Sequence, residues 1–516
     1  MNVYYHYRDL NWTRENHQTF VYPTEVIHQD EIGKPTKFDE QTLNIAANYS
    51  LNEPDKYLFN VTFRNNYNNT PNSFTDRIST LYSSNDSLPA SISDHSTWRN
   101  STPSLDIYFQ RNLKNNQLLI FDAVGTYMDS KSTRLFQQMQ ADADPYIIYS
   151  CITGNKYSLI TEGIYEKRWK IGTLTAGLRH AQSYTENNYS GSATSKVGLA
   201  VAESNAYVEY KFHYKKFNYN FGTGVKRTFY SQDGSSMEKY IFRPSLGILY
   251  NINKFLYVRY NGYVDARPPS LSDMNNVTQN IDAYQIQKGN PNLQTAWFAN
   301  NNFNARFDIG LVGIDFYGQY YYVHKPIMEQ ITLADSMFVH ININQRAYHH
   351  IWAQATLKLR TWKDHIVLSV TPAFHRYILV GSEYLHTYNY WNWHATLLVS
   401  YKNWFFQGEG YTRRNDFLGE TQTIGEQMIN FAAGYNTRKW SLGIFLANPF
   451  TNTYSQGSVN YSALAPYSSN LYTHNFGQLI GFNATMNLNF GRKYNTANKR
   501  LDNTDTDSGI MTGTKK

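Results

Sequence analysis

Along most of this chain, apolar and polar side chains alternate with a period of two, in stretches of roughly ten residues. The clearest stretch lies near the C-terminus. There Ile480, Phe482, Ala484, Met486, Leu488 and Phe490 share one parity, while Gly481, Asn483, Thr485, Asn487 and Asn489 share the other. Successive side chains of a pleated strand point to opposite faces, so every apolar group falls on one side. The pattern returns in Ala206, Val208, Tyr210, Phe212 and Tyr214, in Val312, Ile314, Phe316, Tyr320 and Tyr322, and in Ile351, Ala353, Ala355, Leu357 and Leu359. No charged side chain falls on the apolar parity of these stretches. Arg or Lys facing mid-bilayer lipid costs about 2–4 kcal/mol, so the segregation predicts one face for lipid and one for water.

A soluble β-sandwich also alternates, because one face of each sheet packs on a core. Loop lengths separate the two architectures. Tight, often basic turns are predicted near 52–56, 113–117, 167–170, 215–216, 251–254, 363–364, 402–403 and 437–439, and between them fall long loops at 65–102, 129–146, 184–203, 266–294, 325–345 and 448–474. Short turns on one side and long loops on the other are the two ends of an outer-membrane barrel. The expected fold is all-β, a transmembrane antiparallel up-and-down β-barrel. About twenty strands are expected, one of them at 2–8 and the rest between 41 and 490. The stretch 1–490 is read as the barrel and 491–516 as a polar C-terminal tail.

Composition sharpens this picture. Aromatic residues make up 16% of the 516 residues, and pairs such as Trp391 and Trp393 or Trp404 and Phe405 stand near strand ends, as interfacial girdles do. Mean hydropathy is -0.56. No apolar run approaches the ~18 residues of a membrane-spanning helix, and half of every barrel strand faces water. One cysteine, Cys151, excludes an intramolecular disulfide framework. The net charge of +7 is spread among turns and polar strand positions, interleaved with acids, which does not make a nucleic-acid footprint.

The segment Arg267-Pro268-Pro269-Ser270-Leu271, followed by Gly289-Asn290-Pro291-Asn292-Leu293, resembles the late-barrel signature of TonB-dependent outer-membrane receptors, particularly those of Bacteroidetes. The family resemblance implies a barrel of about 22 strands around a plugged lumen, so the N-terminal strands, the plug and a signal peptide are expected to be missing from this chain. It also implies a nutrient receptor of the Gram-negative outer membrane. The partners implied are outer-membrane lipid, TonB-ExbB-ExbD acting through a plug, and a surface lipoprotein. In such a receptor the loop carrying Arg267, Pro268, Ser270, Gly289, Asn290 and Pro291, and the next loop at 325–345, fold over a bound ligand. Read without the family, the prolines end strand pairing and Gly289-Asn290-Pro291 is a turn before it resumes, which makes the motif a folding and register element.

Aromatic residues expected on long loops make Trp98, Tyr284, Trp391, Trp393 and Tyr467 candidate ligand contacts. His349 and His350 are adjacent on a strand and point to opposite faces, so they cannot chelate together. Asp502, Asp505 and Asp507 miss the calcium-loop spacing and read as a solvated acidic tail. No nucleophile elbow, zinc-protease motif or phosphate loop occurs, so neither an enzyme nor a cofactor is expected. The expected function is import of a nutrient such as an iron-siderophore, cobalamin, glycan or peptide. A passive porin-like or structural barrel, or a secreted carbohydrate-binding β-protein, is the alternative.

Overall fold

The computed structural model describes the whole chain except residues 54, 142, 233, 474–476, 489–497 and 514–516. The wall runs in chain order. It comprises β1 (Asn2–Val21), β3 (Thr36–Glu53), β4 (Tyr57–Asn72), β6 (Ala90–Leu113), β7 (Gln117–Met139), β8 (Tyr146–Arg168), β9 (Gly172–Gly191), β10 (Ser195–Tyr214), β11 (Phe217–Gln232), β12 (Ser235–Phe242) continued by β13 (Ser245–Asn251), β14 (Leu256–Arg267), β17 (Ala296–Ile309), β18 (Val312–His324), β21 (Ala347–Thr361), β22 (Ile366–Val380), β23 (Leu385–Tyr401), β24 (Trp404–Tyr411), β27 (Met428–Asn436), β28 (Trp440–Ala447) and β31 (Leu479–Met486). Each pairs antiparallel with the next. At the long-loop end, β2 (Val26–Lys34), β5 (Arg77–Ser83), β25 (Asp416–Leu418), β26 (Thr421–Ile424), β29 (Tyr454–Asn460) and β30 (Tyr467–Thr473) extend the same sheet. A separate small sheet holds β15 (Thr278–Asn280), β16 (Gln285–Lys288), β19 (Ile327–Ala334) and β20 (Met337–Asn344), beside the one helix of the described residues, α1 (Leu271–Met274).

The up-and-down barrel is therefore as expected, with more strands than about twenty: 27 join the main sheet. The excess lies in the long-loop ribbons and in the break of one wall strand at Arg243 and Pro244. Loops expected at 129–146 and 184–203 are mostly strand. β7 and β8 each run 23 residues and pair from Gln117 with Lys167 to Gln138 with Tyr146. At about 3.4 Å per residue such strands rise well beyond a ~25 Å apolar band. In the upper part of β7, Ser130 to Arg134 is polar on both faces, which hid the period of two there.

The short turns reverse the chain through left-handed backbone, as at Asn115, Asn116, Lys215, Gly310, Lys363 and Lys402, the conformation that two-residue hairpin turns require. Aromatic rings stand beside them with their faces toward the basic turn residues. Lys215 lies over Tyr214, Lys254 over Phe255 and Lys402 over Tyr401, at 5.3, 4.7 and 5.3 Å. On β23, Tyr401 at this girdle and Trp391 at the opposite one are both exposed. About ten residues separate them, roughly 33 Å along a strand and roughly 25 Å along the barrel axis at a ~40° tilt.

Two features depart from a simple water-filled lumen. The inward parity of β6, β7 and β8 buries Tyr108, Ile120, Val124, Met128, Ile152 and Ile160. What covers them is the C-terminal tail: residues 498–513 fold against the inner wall rather than into solvent, as Leu501 on the Leu58, Tyr108 and Ile120 cluster shows. Among the described residues no ladder joins β31 to β1. Along Asn2 to Trp12, β1 pairs only with β3, and at Thr13 to Gln18 it also meets β30. The expected strand end at Phe490 and the residues 491–493 lie outside the described residues, as does His474.

The lipid face makes a direct prediction. Leu357→Arg, on the outward parity of β21, lowers unfolding free energy by about 2–4 kcal/mol, whereas Gln354→Arg on the inward parity changes it by less than about 1 kcal/mol. Urea titration of the protein in lipid vesicles, followed by tryptophan fluorescence, measures both.

Candidate ligand-binding site beneath the cap

Two loops of the long-loop end fold inward and make one cap. Pro268 and Pro269 stop the β14 ladder, and Ser270 then caps α1, its Oγ accepting from the Asp273 amide at 3.2 Å. The chain continues through β15 and β16. β16 pairs in parallel with β20 of the following loop, from Gln285 with Phe338 to Lys288 with Ile341. The signature residues stitch the two loops together. The Asn290 amide donates to Asp273 O at 2.7 Å, its Nδ2 to Asn342 O at 2.9 Å, and Asn342 Nδ2 to Asp273 Oδ1 at 2.9 Å. Gly289 is needed for close approach: a Cβ there would lie 1.7 Å from Asn275 O. Pro291 sits in the turn that follows, which ends at the buried Leu293. Arg267 is the last residue of β14, paired with Ala296.

Apolar clusters hold the cap against the wall on three sides. Phe338 and Ile331 meet Phe20, Ile27 and Ala465; Leu271, Met274 and Leu293 meet Leu199 and Tyr230; Met328 meets Tyr377, Leu379 and Phe417. Each fully buried large apolar side chain contributes about 1.5–3 kcal/mol, so the closed cap is a packed element.

Under the cap, beside β1, β2 and β5 to β7, lies a narrow cavity of about 80 Å³, room for roughly two or three waters at ~30 Å³ each. Its lining is charged. Asp94 receives both Nε and Nη2 of Arg134, at 2.8 and 2.9 Å, and Glu31 receives Arg77 at 3.1 Å and Asn16 at 2.8 Å. Arg134 also donates to Asn280 O and Ile281 O of the cap, at 3.0 and 2.8 Å, so this one guanidinium joins wall and cap. Burial, with Arg77 nearby, pushes the Arg14 guanidinium down to about 10.

Across the lumen stands a stacked aromatic ladder. His350 lies on Tyr377 at 4.2 Å, His375 on Tyr390 at 4.6 Å and Trp352 on His375 at 5.5 Å, with the Arg414 guanidinium 5.4 Å from the Trp352 ring. His350 Nε2 and His375 Nδ1 are 3.1 Å apart. The ladder was missed in the sequence, although the inward parity of β23 carries its signal in Tyr388 and Tyr390.

Of the five aromatic candidates, two come together. Tyr284 and Tyr467 both line the charged cavity, Tyr284 stacks on Phe20 at 4.9 Å, and burial raises both phenols. Only Tyr284 lies in the cap itself, since Tyr467 opens β30. Trp98 is on strand β6 rather than a loop and packs against Ile152, Tyr189 and Val197. Trp391 and Trp393 are also strand residues, exposed on the outward parity of β23 opposite Tyr390, where they face lipid. His349 and His350 do diverge: His349 meets Tyr320 on the outward side. Among the described residues no three His, Cys, Asp or Glu side chains cluster as metal ligands.

Removing Arg134 strips the buried Asp94 of its nearer partner, leaving only Arg77 at 3.5 Å, and breaking a buried pair typically costs about 3–5 kcal/mol. Arg134→Ala should therefore lower the unfolding free energy from urea titration by up to about that amount, and proteolysis should cut within 268–295 before the wall unfolds.

No protein-family model matches the chain, and no curated protein matches its sequence. Solved structures do. The copper transporter OprC superposes with a TM-score of 0.61 at 9% identity over 90% of this chain and 80% of that one. P. aeruginosa FpvA, bound to a heterologous pyoverdine-iron complex, gives 0.58 at 10% identity over 91% and 72%. The FrpB iron transporter from Neisseria meningitidis gives 0.52 at 10% identity over 91% and 81%. The wall described above is thus the barrel fold found in solved iron and copper transporters.

Proposed function

We propose that this chain is the barrel of a TonB-dependent receptor in the Gram-negative outer membrane, which binds a scarce nutrient at the long-loop end and imports it. The observation that carries this reading is the cap: two loops joined through Asn290 fold inward at the mouth of the barrel over a narrow charged cavity. A packed cap over a polar cavity suits a receptor that holds a ligand rather than an open pore. The likeness of fold to iron and copper transporters makes a metal chelate the best first ligand class. The lining sets Arg14, Arg77 and Arg134 against Glu31, Asp94 and Asp282, with Tyr284 and Tyr467 beside them, so it offers a chelate both donors and acceptors rather than a net charge.

The seam between β31 and β1 bears on the expectation of missing strands. These two edges run in opposite directions, so either direct pairing or an even number of added strands closes the wall. A two-stranded hairpin would bring it to about 22.

The reading is tested by titrating the purified protein with ferric siderophores and with copper(II) while following tryptophan fluorescence. Saturable quenching by one of them is expected, weakened at least tenfold, about 1.4 kcal/mol, in Tyr284→Ala and Tyr467→Ala. Uptake of that complex by cells should stop when TonB is removed. If none quenches while liposomes carrying the protein swell in small sugars at porin rates, the barrel is a passive pore.

A further inference from the structure

The inner wall carries a row of buried charges that the import reading does not use. Asp106, Asp122, Glu162 and Glu166, on β6 to β8, are all nearly or fully buried, as is Lys156. Buried charges are costly unless paired, and although Arg64, Arg168 and Tyr207 of the wall stand 3.5 to 3.6 Å from Asp106, Glu166 and Glu162, every one of the five has a closer partner in a single extended segment, 498–513. Lys499 pairs with Asp106 and, at 3.1 Å, with Asp122. Arg500 donates to Glu166 at 2.9 Å. Asn503 Nδ2 donates to Asp122 at 2.8 Å and Glu162 at 3.1 Å, while its Oδ1 accepts from Arg179 at 3.1 Å.

The sign then reverses along both wall and segment. Lys156 donates to Asp505 Oδ1 and to Asp507 O, both at 2.7 Å. Further on, Asn187 and Asn275 both donate to Gly509 O, at 2.8 and 2.7 Å, and Tyr189 OH accepts from the Met511 amide at 3.2 Å. Ile510 and Met511 enter the apolar cluster of Ile152, Tyr189, Val197 and Val277. Gly509 turns through φ +71° directly against Leu271. Charge, hydrogen bonding and apolar fit thus follow one another in register over the whole length of the segment.

The segment also holds the cap. The Leu271 amide, at the start of α1, donates to Asp507 Oδ2 at 3.2 Å, and Asn275 and Val277 belong to the cap loop. Arg134 donates to Gly513 O at 2.8 Å with the same Nη1 that reaches Asn280 O.

We propose that the inner wall from β4 to β9 is a binding site for an extended peptide with a basic pair, then carboxylates, then an apolar pair. Residues 498–513 are its intramolecular ligand and fasten cap loop 268–295 in the closed position. Release of the segment exposes the wall charges and frees the cap, and a peptide of the same pattern competes for the site. This goes beyond the import reading and is tested on purified full-length protein, so it stands or falls independently of any nutrient.

The test uses a Cys151→Ser background with Met511→Cys as reporter, reacted with a maleimide. In the parent the buried reporter reacts slowly. Lys156→Glu and Asp505→Lys should each speed the reaction at least tenfold, and the two together should return it to within about threefold of the parent, as paired groups do in a double-mutant cycle. A free peptide of residues 498–513 carrying Asp505→Lys should bind saturably to the Lys156→Glu protein and not to the parent, read by fluorescence anisotropy. Heat-modifiable gel mobility reports folding of each variant. Asp505→Lys alters only the segment and carries the test even if the wall variant fails to fold. The proposal is overturned if the reporter reacts in the parent as fast as in urea, if Asp505→Lys leaves the slow rate unchanged, or if the folded double variant stays fast.

Discussion

Inside a hydrocarbon layer, a backbone N–H or C=O without a hydrogen-bond partner costs several kcal/mol, and that penalty organises this chain. Between the two end strands, each wall strand is satisfied by its two neighbours, so the sheet follows chain order from β1 to β31 with short reversals at one end. The turn residues answer to the same demand. Asn115, Asn116, Lys215 and Lys402 accept left-handed backbone so that the ladder can restart at once on the next strand. Rings such as Tyr401 and Trp404 then mark where hydrocarbon gives way to water.

On the inner face of the wall, the constraint changes from backbone to side-chain satisfaction. The inward faces of β6 to β9 carry both apolar groups and carboxylates, and neither is left facing an open channel. Residues 498–513 cover Tyr108 and Ile152 with Leu501 and Ile510, and meet Asp106, Glu166 and Lys156 with charges of opposite sign. The cap solves the same problem at the mouth, with Arg134 serving wall, cap and segment from one guanidinium. Cap, segment and wall are therefore one coupled body, in which displacing any part uncovers charge in another.

Much of the fold was legible in the sequence because a strand writes its two faces as a period of two and lipid tolerates no charge on one of them. The outward sets on β10, β18 and β21, the short basic turns and the girdle rings could be read in this way. The upper halves of β7 and β9 could not. At Ser130 and Lys131, or at Asn187 and Asn188, both faces are polar, and polarity alone reads as loop. The candidate site was legible only in part. Tyr284 and Tyr467, far apart in sequence, do share a cavity, whereas Trp391 and Trp393 were assigned by nearness to a loop when their parity already placed them on the lipid face. The ladder of His350, Trp352, His375 and Tyr390 comes from three strands: the inward parity of Tyr388 and Tyr390 is local, whereas the stacking across β21, β22 and β23 is not.

By itself, the sequence determined what depends on near neighbours: which side of each strand is apolar, where the chain must turn, and that Pro268, Pro269 and Gly289 interrupt pairing. Tertiary structure alone decided that Asn290 stitches two loops, that Arg134 sits between wall and cap, and that Asp505 of the acidic stretch lies against Lys156 rather than in solvent. Local alternation is set by the geometry of one strand. The pairing of Asp505 with Lys156, some 349 positions apart, exists only once the curled wall has brought distant parts of the chain into one lumen.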